Sequence, residues 1–145
     1  MATYFDSSAI LEVLLDGESR DAVAECWDDT SARVTSTLLG IEAITVLRRA
    51  GTQLRRAPNS SLMRARFTAL ETFLDGMAIH DVNRDVLETL RLTPSLSDCR
   101  SLDAVHLATA LLFQRHFDQP LAMCTLDRRM RRIAEAHHLT VVPQG

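Results

Sequence analysis

Four carboxylates stand where the surrounding pattern calls for something else: Asp6, Glu42, Asp103 and Asp127. Asp6 closes the apolar run Ala2 to Phe5, and Asp127 follows the run Leu121 to Thr125. Both therefore fall where a short strand gives way to a helix, and in α/β folds ligands gather just beyond the carboxyl ends of the strands. Asp is also a favoured helix N-cap, so each of the two has a purely structural reading as well. Glu42 interrupts an apolar stripe, with Leu38 one turn before it and Val46 one turn after it. Buried without a partner it costs several kcal/mol, so it is expected to be paired, hydrogen-bonded or bound to a cation; Arg49, near the same face, is a candidate partner. Asp103 lies in the first turn of a helix, with Leu107 at i+4, where its charge also suits the helix dipole.

Four acids from four different elements repel one another if they converge, and a divalent cation removes that conflict. An all-oxygen donor set suits Mg²⁺ or Mn²⁺, whereas zinc wants Cys and His at ligand spacings that this chain lacks. Should the four meet, their oxygens would hold such a cation among them.

Composition narrows the alternatives. At 145 residues, 46% hydrophobic and 24% charged, the chain has the size of one globular domain spanning 1–145, with no linker-like stretch or repeat. All 16 basic residues are arginine, which excludes chemistry that needs a lysine amine, such as Schiff-base formation or a P-loop. The start Met1 to Asp6 has no secretory pattern and no apolar run approaches about 18 residues, so a cytoplasmic location and no membrane partner are expected. Cys26, Cys99 and Cys124 read as small buried thiols. The net charge of −3 is unevenly spread. Arg128, Arg129, Arg131 and Arg132 follow Asp127 at once, with further pairs at Arg48-Arg49 and Arg55-Arg56. Of these, Arg128, Arg129 and Arg132 are the candidates for holding phosphates beside the acids; a solvated helix face is the plainer reading of any one of them.

The elements that must position these groups alternate. Strands are expected at Ala2–Phe5, Arg33–Thr35, Met77–Val82, Leu121–Thr125 and Thr140–Val142. Helices are expected after Ser7-Ser8, near residues 18–29, from Leu38 to Ala50 with Gly51 as the stop, over 60–75, over 84–92, from Ser101, and behind Asp127. Residues 93–100 read as a polar loop. This alternation predicts an α/β layer fold whose short, mostly parallel sheet is covered on both faces. His106, one turn after Asp103, reads as a core histidine or a buttress for that carboxylate. Trp27 reads as a packing residue, and Phe67, Leu70, Phe73 and Leu74 as a core face.

Four segments carry a resemblance. Tyr4-Phe5-Asp6-Ser7-Ser8-Ala9, Ile41-Glu42-Ala43, Arg100 to Ala110 and Thr125-Leu126-Asp127-Arg128-Arg129 are similar to the signature segments of VapC-type PIN domains, in the expected order, with the third the most specific. The resemblance implies a three-layer α/β/α PIN-like fold and a Mg²⁺- or Mn²⁺-dependent endoribonuclease acting as the toxin of a toxin–antitoxin pair. It implies Asp6, Glu42, Asp103 and Asp127 as the metal-binding acids and Ser8 as a supporting hydrogen-bonding residue. It further implies an RNA substrate, with a tRNA or rRNA loop expected, a homodimer, and a cognate VapB-type antitoxin. A groove formed by the helix of Glu42 and the Phe67 stripe is expected to receive an antitoxin helix. A catalytically weak or degenerate PIN module that only binds RNA or protein is the alternative, although all four acids are present. A haloacid-dehalogenase-like phosphatase would want an Asp where Ser8 stands, and both it and a receiver-type phospho-switch would want a lysine.

Overall fold

The computed structural model describes all 145 residues. Five strands, β1 (Ala2–Phe5), β2 (Ala32–Ser36), β3 (Ala78–His80), β4 (Leu121–Cys124) and β5 (Thr140–Val142), form one sheet in the order β3-β2-β1-β4-β5. All four pairings are parallel, so the expected sheet is parallel throughout. Register sets Phe5 opposite Cys124 and Tyr4 opposite both Val34 and Met123.

Parallel strands need crossover helices, and these cover both faces. Helices α1 (Ser7–Leu14), α2 (Arg20–Asp29), α3 (Thr37–Gln53) and α4 (Ser61–Asp75) bury Ile10, Val23, Leu39, Leu47 and Leu70 with Phe5 on one face. On the other, α5 (Arg84–Leu92), α6 (Ser101–Phe117) and α7 (Arg128–Ala136) pack Val86, Leu107 and Met130 against Tyr4, Leu121, Met123 and Val141. The period-2 alternation of strands sends Tyr4 and Phe5 to opposite cores. Each fully buried aliphatic side chain contributes about 1.5–3 kcal/mol, which is why such short strands suffice. No helix is long and apolar enough to cross a membrane.

Three sequence expectations shift. Gly51 does not stop α3, which runs on to Gln53; it is a buried packing position, where an added Cβ would meet the Met63 sulfur at 2.6 Å. Residues 94–98 form a 3₁₀ turn inside the expected loop, anchored by fully buried Leu96. Only Cys124 is buried among the three free thiols, Cys26 and Cys99 being half-buried.

Candidate active site

The carboxyl ends of β1, β2 and β4 open onto one edge of the sheet, and the four acids enter it from β1, α3, α6 and the β4–α7 turn. Asp6 is the most enclosed, at 2% exposure. Its Oδ1 accepts from the Ala9 amide at 3.0 Å and the Ser8 hydroxyl at 2.7 Å, and its Oδ2 accepts from the Thr125 hydroxyl at 2.5 Å. Burial pushes its carboxyl above the ordinary range, opposed by the Thr125 and Ser8 hydroxyls and the Ala9 amide. A carboxylate offers about four lone-pair directions, so three donors leave one on Oδ2.

Asp127 caps α7 by accepting from the Met130 amide at 2.8 Å through Oδ1. Its own amide donates to the Thr125 hydroxyl, so Thr125 ties Asp6 to Asp127. The capping reading holds for both residues and leaves the other open to them: a strand-end Asp that caps the next helix is thereby fixed at the mouth of the sheet.

Glu42 is not paired with Arg49. Its Oε1 accepts from His106 Nε2 at 2.6 Å and from the Ser7 hydroxyl at 3.1 Å. His106, 1% exposed, has its Nδ1 within hydrogen-bond distance of the Tyr4 hydroxyl, 2.6 Å away. The imidazole therefore supports Glu42 and not Asp103. Asp103 has no hydrogen-bond partner; burial first, then the charges of Asp127, Asp6 and Glu42, push its carboxyl up. Mutual repulsion places the four acids in one electrostatic neighbourhood, though as the side chains stand no three acidic, histidine or cysteine groups close on a single point as a chelate. The donor chemistry suits a hard cation, since Glu42 Oε2, Asp127 Oδ2 and both oxygens of Asp103 are free of protein donors.

Arginines rim this acidic cleft. Arg128, Arg129 and Arg132 line a pocket of about 420 Å³ with Asp103, Asp127 and Arg100. Arg131 is turned the other way, donating to the Thr125 carbonyl at 2.8 Å and the Pro143 carbonyl at 2.7 Å. Arg48 and Arg56 border a separate groove between α3 and α4 with Met63 and Phe67, away from the acids. Trp27 packs on Phe5 and Phe73, beneath the Arg33 guanidinium, as a packing residue does.

The residue order did not single out Thr125 and Ser7 as contacts of the acids, or Tyr4 as the contact of His106. Two of them left a trace: Thr125 stands two residues before Asp127, and a phenol inside an apolar strand requires a buried partner for its hydroxyl.

A parallel α/β sheet with acids at its strand ends and arginines around them defines the class of molecule. Comparison with known proteins makes it specific: the chain belongs to the PIN domain family, whose profile matches residues 3–136. It is 34% identical over 145 residues to ribonuclease VapC35 of Mycobacterium tuberculosis, an alignment covering 98% of this chain and 96% of that one. Ribonuclease VapC46 of the same organism is 32% identical over 142 residues, covering 97% and 96%. Among solved structures, VapBC2 of Rickettsia felis, bound to a DNA fragment from the promoter, superimposes with a TM-score of 0.66 at 12% identity, covering all of both chains. FitAcB of Neisseria gonorrhoeae gives 0.65 at 18% identity, covering 97% and 96%. These two similarities establish the three-layer fold.

Proposed function

We propose that the chain is a divalent-metal-dependent endoribonuclease and the toxin of a toxin–antitoxin pair, working in the cytoplasm as a homodimer restrained by a VapB-type antitoxin. The observation that carries the reading is the setting of Asp6. A fully enclosed carboxylate held by three donors keeps a lone pair directed away from them, with Glu42, Asp103 and Asp127 repelling one another beside it. Relatives of one-third identity over nearly the whole chain are named ribonucleases.

In this reading Asp6, Glu42, Asp103 and Asp127 hold the cation, and Ser8 and Thr125 keep Asp6 in place. When bound, Mg²⁺ or Mn²⁺ supplies Lewis acidity, which activates water and offsets charge on the phosphate. Arg128, Arg129 and Arg132 bind phosphates flanking the scissile bond and orient the strand, the planar guanidinium matching phosphate geometry. The expected substrate is a loop of tRNA or rRNA, where unpaired backbone can enter a cleft of this size.

The test is cleavage of RNA by wild type and Asp6→Asn with Mg²⁺ or Mn²⁺. The variant retains an oxygen for Ser8 and Ala9, and the Thr125 hydroxyl can turn to accept from the new amide, so it should fold. Cleavage is expected to disappear with the circular dichroism unchanged. A variant as active as wild type overturns the assignment; an inert wild type with either metal would leave only a binding module.

A further inference from the structure

We propose that Tyr4 and His106 are positioning residues for Glu42: a buried phenol and imidazole hold one carboxylate oxygen and leave the other, Oε2, available to a cation. The proposal rests on the metal-dependent reading above.

Tyr4 is fully buried, so its hydroxyl must find its partner inside the protein. The hydroxyls of Thr35 and Thr109 lie beside it. Each directs its own hydrogen to a backbone carbonyl, Thr35 to Phe5 and Thr109 to Val105, both at 2.7 Å. Neither can then donate to the phenol oxygen. In the relay the phenol gives its hydrogen to Nδ1 of His106 at 2.6 Å, because an ionised Glu42 can only accept and a neutral ring then keeps its hydrogen on the other nitrogen. That nitrogen, Nε2, is 2.6 Å from Glu42 Oε1.

Ser7 donates to the same Oε1, so both donors converge on one oxygen. The edge-on contact of the Tyr4 and His106 rings, with centroids 5.8 Å apart at 72°, restrains the imidazole from turning. Here both nitrogens are satisfied by side chains, across three elements and over sequence separations of 102 and 64 residues, and the last link is a candidate ligand. Partners of this kind fix the orientation of a ligating group, and losing them typically weakens metal binding by about 10- to 100-fold.

The test uses the full chain with Mn²⁺ as the probe. In the metal-free wild type, ¹⁵N-edited imidazole spectra should show His106 protonated at Nε2, and Y4F, which keeps the ring's shape, should disturb that state. Mn²⁺ titration followed by electron paramagnetic resonance should give about ten-fold weaker binding in Y4F and H106N. H106Q should restore most of the affinity, because its amide nitrogen reaches the place of Nε2 whereas that of asparagine stops near Nδ1. A purely structural histidine would lower the melting temperature without this pattern of loss and rescue. An Nδ1-protonated ring, or wild-type Mn²⁺ affinity in both Y4F and H106N, overturns the relay. Should H106N not fold, Y4F and the tautomer still decide. The expected tautomer with no Mn²⁺ binding by wild type overturns instead the metal reading on which the role depends.

Discussion

Both oxygens of Asp6 are engaged by the protein, yet burial still holds its carboxyl above the ordinary range. The donors therefore oppose a desolvation penalty that they do not cancel, and removing one should be felt directly. Thr125→Val deletes the hydroxyl on Oδ2 at nearly constant volume. It should cost about 1.5–3 kcal/mol, the usual size for a hydrogen bond to a charged group, measured by urea unfolding at neutral pH. A cost near zero would mean the hydroxyl is idle. Asp103 makes the opposite case, a carboxylate without donors whose carboxyl is raised by burial and by Asp127, Asp6 and Glu42. Its folded pKa lies above the unfolded one. Between the two, the unfolded chain has lost the proton that the native protein keeps, so stability falls as pH rises from about 4 toward the raised value. Asp103→Asn should accordingly raise the melting temperature in EDTA at neutral pH and flatten that decline. Identical pH profiles for the two proteins would refute the shared repulsion.

At the scale of the element, α7 places four arginines on different tasks. Arg128, Arg129 and Arg132 line the acidic pocket, while Arg131 reaches back to the carbonyls of Thr125 and Pro143. The division follows from the helix turning about 100° per residue: a run of this length cannot present one face. Arg131→Ala should destabilise the β4–α7 turn by about 1.5–3 kcal/mol. Alanine at 128, 129 or 132 should leave stability within about 0.5 kcal/mol, but weaken RNA binding and reduce its salt slope by about one unit for each phosphate that is no longer neutralised. Filter binding across a salt series, run beside thermal melts, separates the two groups. If Arg131→Ala melts like wild type, the division is wrong.

At the scale of the whole molecule, like charges are gathered at the carboxyl edge of a sheet whose two cores lie on either side. A cation that binds only the native state adds stability by mass action, about 2.7 kcal/mol at 100 times its dissociation constant. Millimolar Mn²⁺ or Mg²⁺ should raise the melting temperature of wild type, and the rise should shrink in Asp103→Asn. No shift in wild type would count heavily against a cation at this edge.

Strand and helix periods, the strand-end positions of Asp6 and Asp127, and the intrusion of Glu42 into an apolar stripe were all legible in the residue order, because each depends on neighbours within a turn or two. Gly51 misled for the same reason: a glycine that ends a helix and one that admits Met63 look alike until α4 is in place. Which groups meet was decided only by the tertiary structure. Setting β1 between β2 and β4 brings Thr125 to Asp6, and packing α6 on β2, from whose end α3 starts, gives Glu42 the imidazole of His106 in place of Arg49. Hydrogen bonds reach about 3 Å whatever the sequence separation, so their partners are chosen by the order of the strands and the packing of the helices, which no local pattern encodes.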